Sequence, residues 1–219
     1  GISEDEARSK CWFFDTRGLL VSGRESIVDH KRPYAHDHPP VDDFLEAVKT
    51  LKPTALIGVS GQPKTFTKDI VEAMAEFNDR PIIFALSNPT SKSECSAEEA
   101  YTWTEGRGIF ASGSPFDPVK LGDRTFVPGQ GNNAYIFPGV GLGAIVSGAR
   151  VVTDEMFLAA AHSLANQVSE SDLERGRIYP SLQRIREVSA LIARDVAKLA
   201  YDKGLTDKVE PEDKLAEIP

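Results

Sequence analysis

Apolar positions recur along this chain with two different periods. Thr54 to Gly58, Ile82 to Leu86 and Gly108 to Ala111 are short apolar runs without alternation, the pattern of strands buried on both faces of a parallel sheet. Cys11 to Phe14 is a further short run, closed by Asp15 and followed by a turn around Gly18 and a second extended piece. Between these runs the spacing becomes helical. Phe44, Leu45 and Val48 mark one amphipathic helix ended by Lys52-Pro53, and Ile70, Ala73, Met74 and Phe77 mark the core-facing stripe of the next. Ser96 with Glu99 forms a capping box for a helix through Trp103. Strand-helix alternation of this kind predicts an α/β, doubly wound, mostly parallel sheet, with Gly108 to Ala111 as its last strand.

Beyond Val152 the pattern is helical throughout. Thr153-Asp154-Glu155 opens one helix, Ser171 with Glu174 caps another turn, and Pro180 starts a long one. On that last helix Ile185, Val188, Ile192, Val196 and Leu199 form a packing stripe that ends before Gly204. The expected division is a sheet domain over residues 1–131, a helical segment over 132–205, and a charged, proline-containing tail over 206–219, an arm or disordered.

Candidate chemistry gathers at strand ends. Ser87 and Asn88 follow the central apolar run and precede Pro89, which keeps Asn88 out of helical dihedrals. In open parallel sheets ligands bind outside the carboxyl ends of the strands, although Ser, Asn and Pro are also the usual residues of an ordinary turn. The run at Thr54 leads into Gly58-Val59-Ser60-Gly61, whose small residues admit a ligand close to the backbone, and then into Gln62-Pro63. Asp15 ends what reads as a short buried strand, the place where Rossmann-type dinucleotide folds hold the adenosine ribose. The glycine fingerprint that accompanies such an acid would fall before Gly1, so the chain reads as entered partway through the sheet. Asp29 to Pro40 is too interrupted by proline for a regular element; within it, Lys31 and Arg32 stand where a 2′-phosphate would lie, or form a solvated basic pair. His30, His36 and His38 read as surface histidines. Gly129 to Gly139 is a glycine- and asparagine-rich loop that is costly to order, which suggests binding. Gly139, Gly141 and Ala144 match G-x-G-x-x-A without a preceding strand, so they read as close helix packing instead.

Charge and cysteine content narrow the partners. A formal net charge of −8 over 219 residues argues against nucleic acid and anionic membranes. No stretch reads as a signal peptide or membrane span. Cys11 and Cys95 lie far apart and read as reduced and buried, which suits a cytoplasmic enzyme or one of an organelle matrix. No Cys-x-x-Cys or His-Glu-x-x-His spacing marks a zinc site.

Three segments carry a family signature: Phe-Ala-Leu-Ser-Asn-Pro-Thr with Glu-Cys downstream (84–95), Ile-Phe-Ala-Ser-Gly-Ser-Pro-Phe-Asp-Pro-Val (109–119) and Pro-Gly-Gln-Gly-Asn-Asn-Ala-Tyr-Ile-Phe-Pro-Gly (128–139). Together with Gly-Arg-Ile-Tyr-Pro-Ser-Leu (176–182), the chain resembles the carboxyl-terminal, NAD(P)-binding half of the malic enzymes. That resemblance implies oxidative decarboxylation of (S)-malate to pyruvate and carbon dioxide, with NADP or NAD and a Mg or Mn ion, in an enzyme that is commonly a homo-oligomer. It assigns Asn88, Asn132 and Asn133 to malate, and Asp15, Gly58, Ser60, Gly61, Ser87 and Asn88 to the cofactor. Lys31, with Arg32, would favour NADP. The general acid tyrosine, general base lysine and metal ligands of the family find no matching motif here, so this chain is expected to be inactive alone. The alternative function is a non-catalytic nucleotide-binding or oligomerisation module. An amino-acid or hydroxy-acid dehydrogenase sharing only the sheet would leave the asparagine segments as coincidence.

Overall fold

Four strands form the central parallel sheet, in the order β3-β4-β5-β8. They are β3 (Ala55–Gly58), β4 (Ile82–Ala85), β5 (Ile109–Ser112) and β8 (Gly129–Gln130). The computed structural model describes residues 1–210. Ahead of the sheet lie α1 (Glu4–Ser9) and an antiparallel hairpin, β1 (Phe14–Asp15) with β2 (Gly18–Leu19). Crossover helices α2 (Phe44–Leu51), α3 (Lys68–Phe77) and α4 (Ala97–Trp103) cover the sheet, and a second hairpin joins β6 (Val119–Leu121) to β7 (Arg124–Phe126). The helical part comprises α5 (Phe137–Ser147), α6 (Asp154–Ala165), α7 (Glu170–Glu174) and α8 (Ile185–Asp202).

Two large cores follow from these faces. Ile70, Val71, Met74, Ile83, Tyr101 and Phe110 meet between sheet and helices, with Tyr101 stacked on Phe126. The second core joins α5, α6 and α8 through Val140, Met156, Val188, Ile192 and Val196, so the stripe expected on the long helix does pack inward. The glycines of α5 explain the close approach: a Cβ at Gly139 would lie 2.5 Å from Ile192, and one at Gly143 would lie 2.6 Å from the Ala193 carbonyl. Gly141 faces open space, so the close packing is carried by Gly139 and Gly143. The Ser96–Glu99 capping box is present.

Several expectations are corrected. Gly108 to Ala111 is not the last strand, because Gly129–Gln130 pairs parallel outside it. Cys11 to Asp15 is not a buried strand of the main sheet: only Phe14–Asp15 is extended, and it pairs back on Gly18–Leu19 because the turn at Gly18 (φ +84°) reverses the chain at once. β3 is an edge strand and leaves Ile57 59% exposed. Asp29–Tyr34 forms a 3-10 helix, Pro33 included, since a 3-10 turn this short demands few amide donors. His36 and His38 are half-buried against Trp12. Cys11 is exposed; both cysteines are free. The cap of α7 is Ser169 with Asp172, two residues earlier than expected, and Ser181 caps a 3-10 turn ahead of α8. Part of the tail docks: Thr206 donates to the Ser147 carbonyl and Lys208 to that of Val146, capping the end of α5. The rest of the expected tail, 211–219, lies outside the described residues. Among those described, no helix is long and apolar enough to cross a membrane.

Candidate functional site

Parallel pairing brings all four strand ends to one edge of the sheet. After β3 the chain turns at Gly61 (φ +69°), which lies in open space. After β4 come Ser87, buried, and Asn88, exposed and joined to Pro89 by a cis peptide bond. After β5 come Gly113 and Ser114, and after β8 Gly131, Asn132 and Asn133. Only glycine fits at 113, where a Cβ would meet the Leu86 carbonyl at 2.2 Å, so the ends of β4 and β5 are pressed together. Ser114 donates to the Asn88 side-chain oxygen at 2.7 Å, and Gln130 donates to the Gly113 carbonyl at 3.1 Å. Asn88 in turn donates its NH2 to the Leu86 carbonyl at 3.4 Å, so the Ser114 and Leu86 bonds hold its carboxamide at the exposed rim. Asn132 uses its side-chain oxygen to accept the Ala134 amide at 2.9 Å, which leaves its NH2 group as a donor.

Beside Asn132 and Asn133 opens a cavity of about 480 Å³, walled by Leu86, Leu164, Ile178 and Tyr179. Tyr179 stacks on Tyr135, and burial pushes both phenols up, so each stays a neutral hydroxyl at neutral pH. Tyr135 is anchored by donating to the Pro180 carbonyl at 2.6 Å.

A charged cluster lies in the β1–β2 hairpin. Arg24 donates to both oxygens of Asp15, at 2.9 and 3.0 Å, and also to the carbonyls of Arg17, Gly18 and Leu19. Lys31 donates to the same carboxylate at 2.9 Å. Burial alone would raise the Asp15 pKa; the bonds from Lys31, the Arg17 amide and Arg24 outweigh it and hold it at about 2. With one carboxylate against Arg24 and Lys31, the cluster is left net positive. Among the described residues, no group of three or more His, Cys, Asp or Glu is gathered to hold a metal ion, so these side chains do not fit a metal centre.

Comparison with known proteins decides the relationship. The family model "Malic enzyme, NAD binding domain" matches residues 1–201. The chain belongs to the malic enzyme family. A NADP-dependent malic enzyme of Vitis vinifera is 57% identical over 210 residues, covering 95% of this chain and 36% of the relative. A chloroplastic NADP-dependent malic enzyme of Flaveria pringlei is 56% identical over 214 residues, covering 97% of this chain and 33% of that protein. The chain thus spans about a third of the length of these relatives. The crystal structure of the Entamoeba histolytica malic enzyme superposes with a TM-score of 0.70 at 27% identity, over 91% of this chain and 39% of the other. The α/β fold and its parallel sheet are accordingly those of a malic enzyme NAD-binding domain.

Of the residues singled out in sequence, the fold brings Gly58, Ser60, Gly61, Ser87, Asn88, Asn132 and Asn133 to the one sheet edge. Asp15 and Lys31 pair with each other in the separate hairpin. Arg32 does not join them; its guanidinium bonds the Ile27 carbonyl and an exposed Asp29. Missed in the sequence were Arg24, Ser114 and Glu94. Ser114 was within reach of the strand-end rule, since it follows the third apolar run. Spacing does not mark Arg24 or Glu94: the side-chain partners of each lie within nine residues, but turns of the chain, not a periodic pattern, bring them together.

Proposed function

We propose that this chain is the NADP-docking and malate-orienting part of a malic enzyme. The reaction is (S)-malate plus NADP⁺ giving pyruvate, carbon dioxide and NADPH: a hydride leaves C2 for the nicotinamide, the hydroxyl proton passes to a base, the C4 carboxylate β to the new C2 ketone leaves as carbon dioxide, and C3 of the resulting enolate takes up a proton. The observation that supports this reading is the single sheet edge that gathers the Gly58–Gly61 turn and Ser87 with the neutral amides of Asn88, Asn132 and Asn133. Amides suit malate, because they bind carboxylate and hydroxyl oxygens and aim C2 without losing a proton themselves. The nicotinamide supplies the hydride acceptor when bound. Acid-base and metal chemistry are assigned to residues outside this chain's described side chains, so the chain by itself is expected not to oxidise malate, even with Mn.

NADP is favoured over NAD by the Asp15 cluster. Arg24 already matches the Asp15 charge, which leaves Lys31 as surplus positive charge for a 2′-phosphate of roughly −1.5 to −2. A charge-assisted bond of about 1.5–3 kcal/mol corresponds to roughly 10- to 100-fold in affinity. Titration of the purified chain with NADPH and NADH tests this. Binding of NADPH should weaken by at least about tenfold in Lys31→Ala while NADH binding is unchanged; equal loss for both would remove the specificity role. Cytoplasm or organelle matrix, and a homo-oligomeric enzyme, belong to the same proposal.

A second reading, a nucleotide-binding or oligomerisation module without chemistry, draws on the apolar edge at β3, where Ile57 is 59% exposed. Asn88→Ala separates the two. A malate-orienting part loses any effect of malate on NADPH binding, whereas a module has none to lose.

A further inference from the structure

Glu94 is fully buried (0% exposed), yet it lies seven residues beyond Ser87 in a polar segment. Its carboxylate meets Ser87 twice: one oxygen accepts the Ser87 hydroxyl in a short bond, and the other accepts the Ser87 amide at 3.3 Å. Because the hydroxyl proton is committed to Glu94, the Ser87 oxygen faces elsewhere as an acceptor, and it takes the Gly61 amide at 2.9 Å. A directed relay therefore runs from Gly61 through Ser87 to Glu94. It ties the turn after β3 to the end of β4. Gly58 makes room for it, since a Cβ there would lie 2.4 Å from the Glu94 carboxyl carbon. The backbone around Glu94 is pinned to the same turn: Phe66 donates to the Glu94 carbonyl and Lys64 to that of Ser93, both at 3.1 Å.

We propose that Glu94 is a positioning residue for the dinucleotide, holding the Gly58–Gly61 turn and Ser87 in the arrangement that the cofactor meets. This rests on the cofactor-docking reading above. Chemistry of this type needs a carboxylate. Ser87 presents two donors to residue 94, and in a glutamine one of the two carboxylate oxygens becomes an NH2 donor, so one of the two bonds is lost and the Ser87 hydroxyl is no longer held in the orientation that receives Gly61.

The test uses the full chain carrying Glu94→Gln, with amide hydrogen exchange followed by NMR and NADPH binding by fluorescence titration. Exchange at Gly61 should rise at least about tenfold while Val71 and Ile83 keep wild-type rates, and the Kd for NADPH should rise. Should Glu94→Gln fail to fold, Glu94→Asp takes its place, because it keeps the charge and draws the carboxylate back from Ser87 by one methylene. Wild-type exchange at Gly61 would overturn the proposal. So would faster exchange with unchanged NADPH affinity. If the wild-type chain binds no NADPH, the docking reading falls, and Gly61 exchange still decides whether Glu94 holds the turn.

Discussion

Asp15 ties a stabilising ion pair to the cluster proposed above for the cofactor. Its pKa is held at about 2 against an ordinary 3.8, so its pairing stabilises the fold fully above about pH 4 and is lost as pH falls towards 2. Asp15→Asn should cost about 1–2 kcal/mol at pH 7, with the difference from wild type shrinking below about pH 4 and vanishing only below about pH 2 in urea melts. A constant difference across that range would detach stability from the charge. Residues of this kind were only partly legible in the sequence. Asp15, Ser87 and Asn88 stood out through residue type and strand-end position, and Lys31, Asn132 and Asn133 through loop composition and the family resemblance. Arg24 did not, because its role is set by a hairpin turn that gathers three carbonyls and a carboxylate around one guanidinium, and no periodicity encodes that.

Elements were read more securely than their edges. The helical stripe on α8 and the capping box of α4 follow from spacing alone, and both are present. What the pattern could not supply was pairing: whether Cys11 to Asp15 joins the main sheet, or which strand lies outside β5, depends on partners distant in sequence. The glycines of α5 make the same point within one helix. Gly141→Ala enters open space and should stabilise by about 0.5–1 kcal/mol through helix propensity. Gly143→Ala meets the Ala193 backbone at 2.6 Å, so an overpacking cost of about 1–3 kcal/mol should exceed that gain and lower Tm. Thermal melts of the two variants should move in opposite directions.

At the scale of the whole molecule, the sheet has an open flank. Ile57 (59% exposed) and Val59 (74%) stand on β3 and just past it, the kind of uncovered apolar edge that pairs with another chain. Sedimentation velocity should show association that rises with concentration and is reduced by Ile57→Lys; the same association in the variant would place the contact elsewhere. The other flank ends on β8, and between the two the strand ends are spaced by sheet geometry at about 4.8 Å each. Such an edge works as a ruler. A ligand laid across it is measured against a pitch that no side-chain rotation can stretch, so length itself is selected: a molecule too short to cross from the Gly58–Gly61 turn to Asn132 forfeits one end of its grip, however well its other end fits.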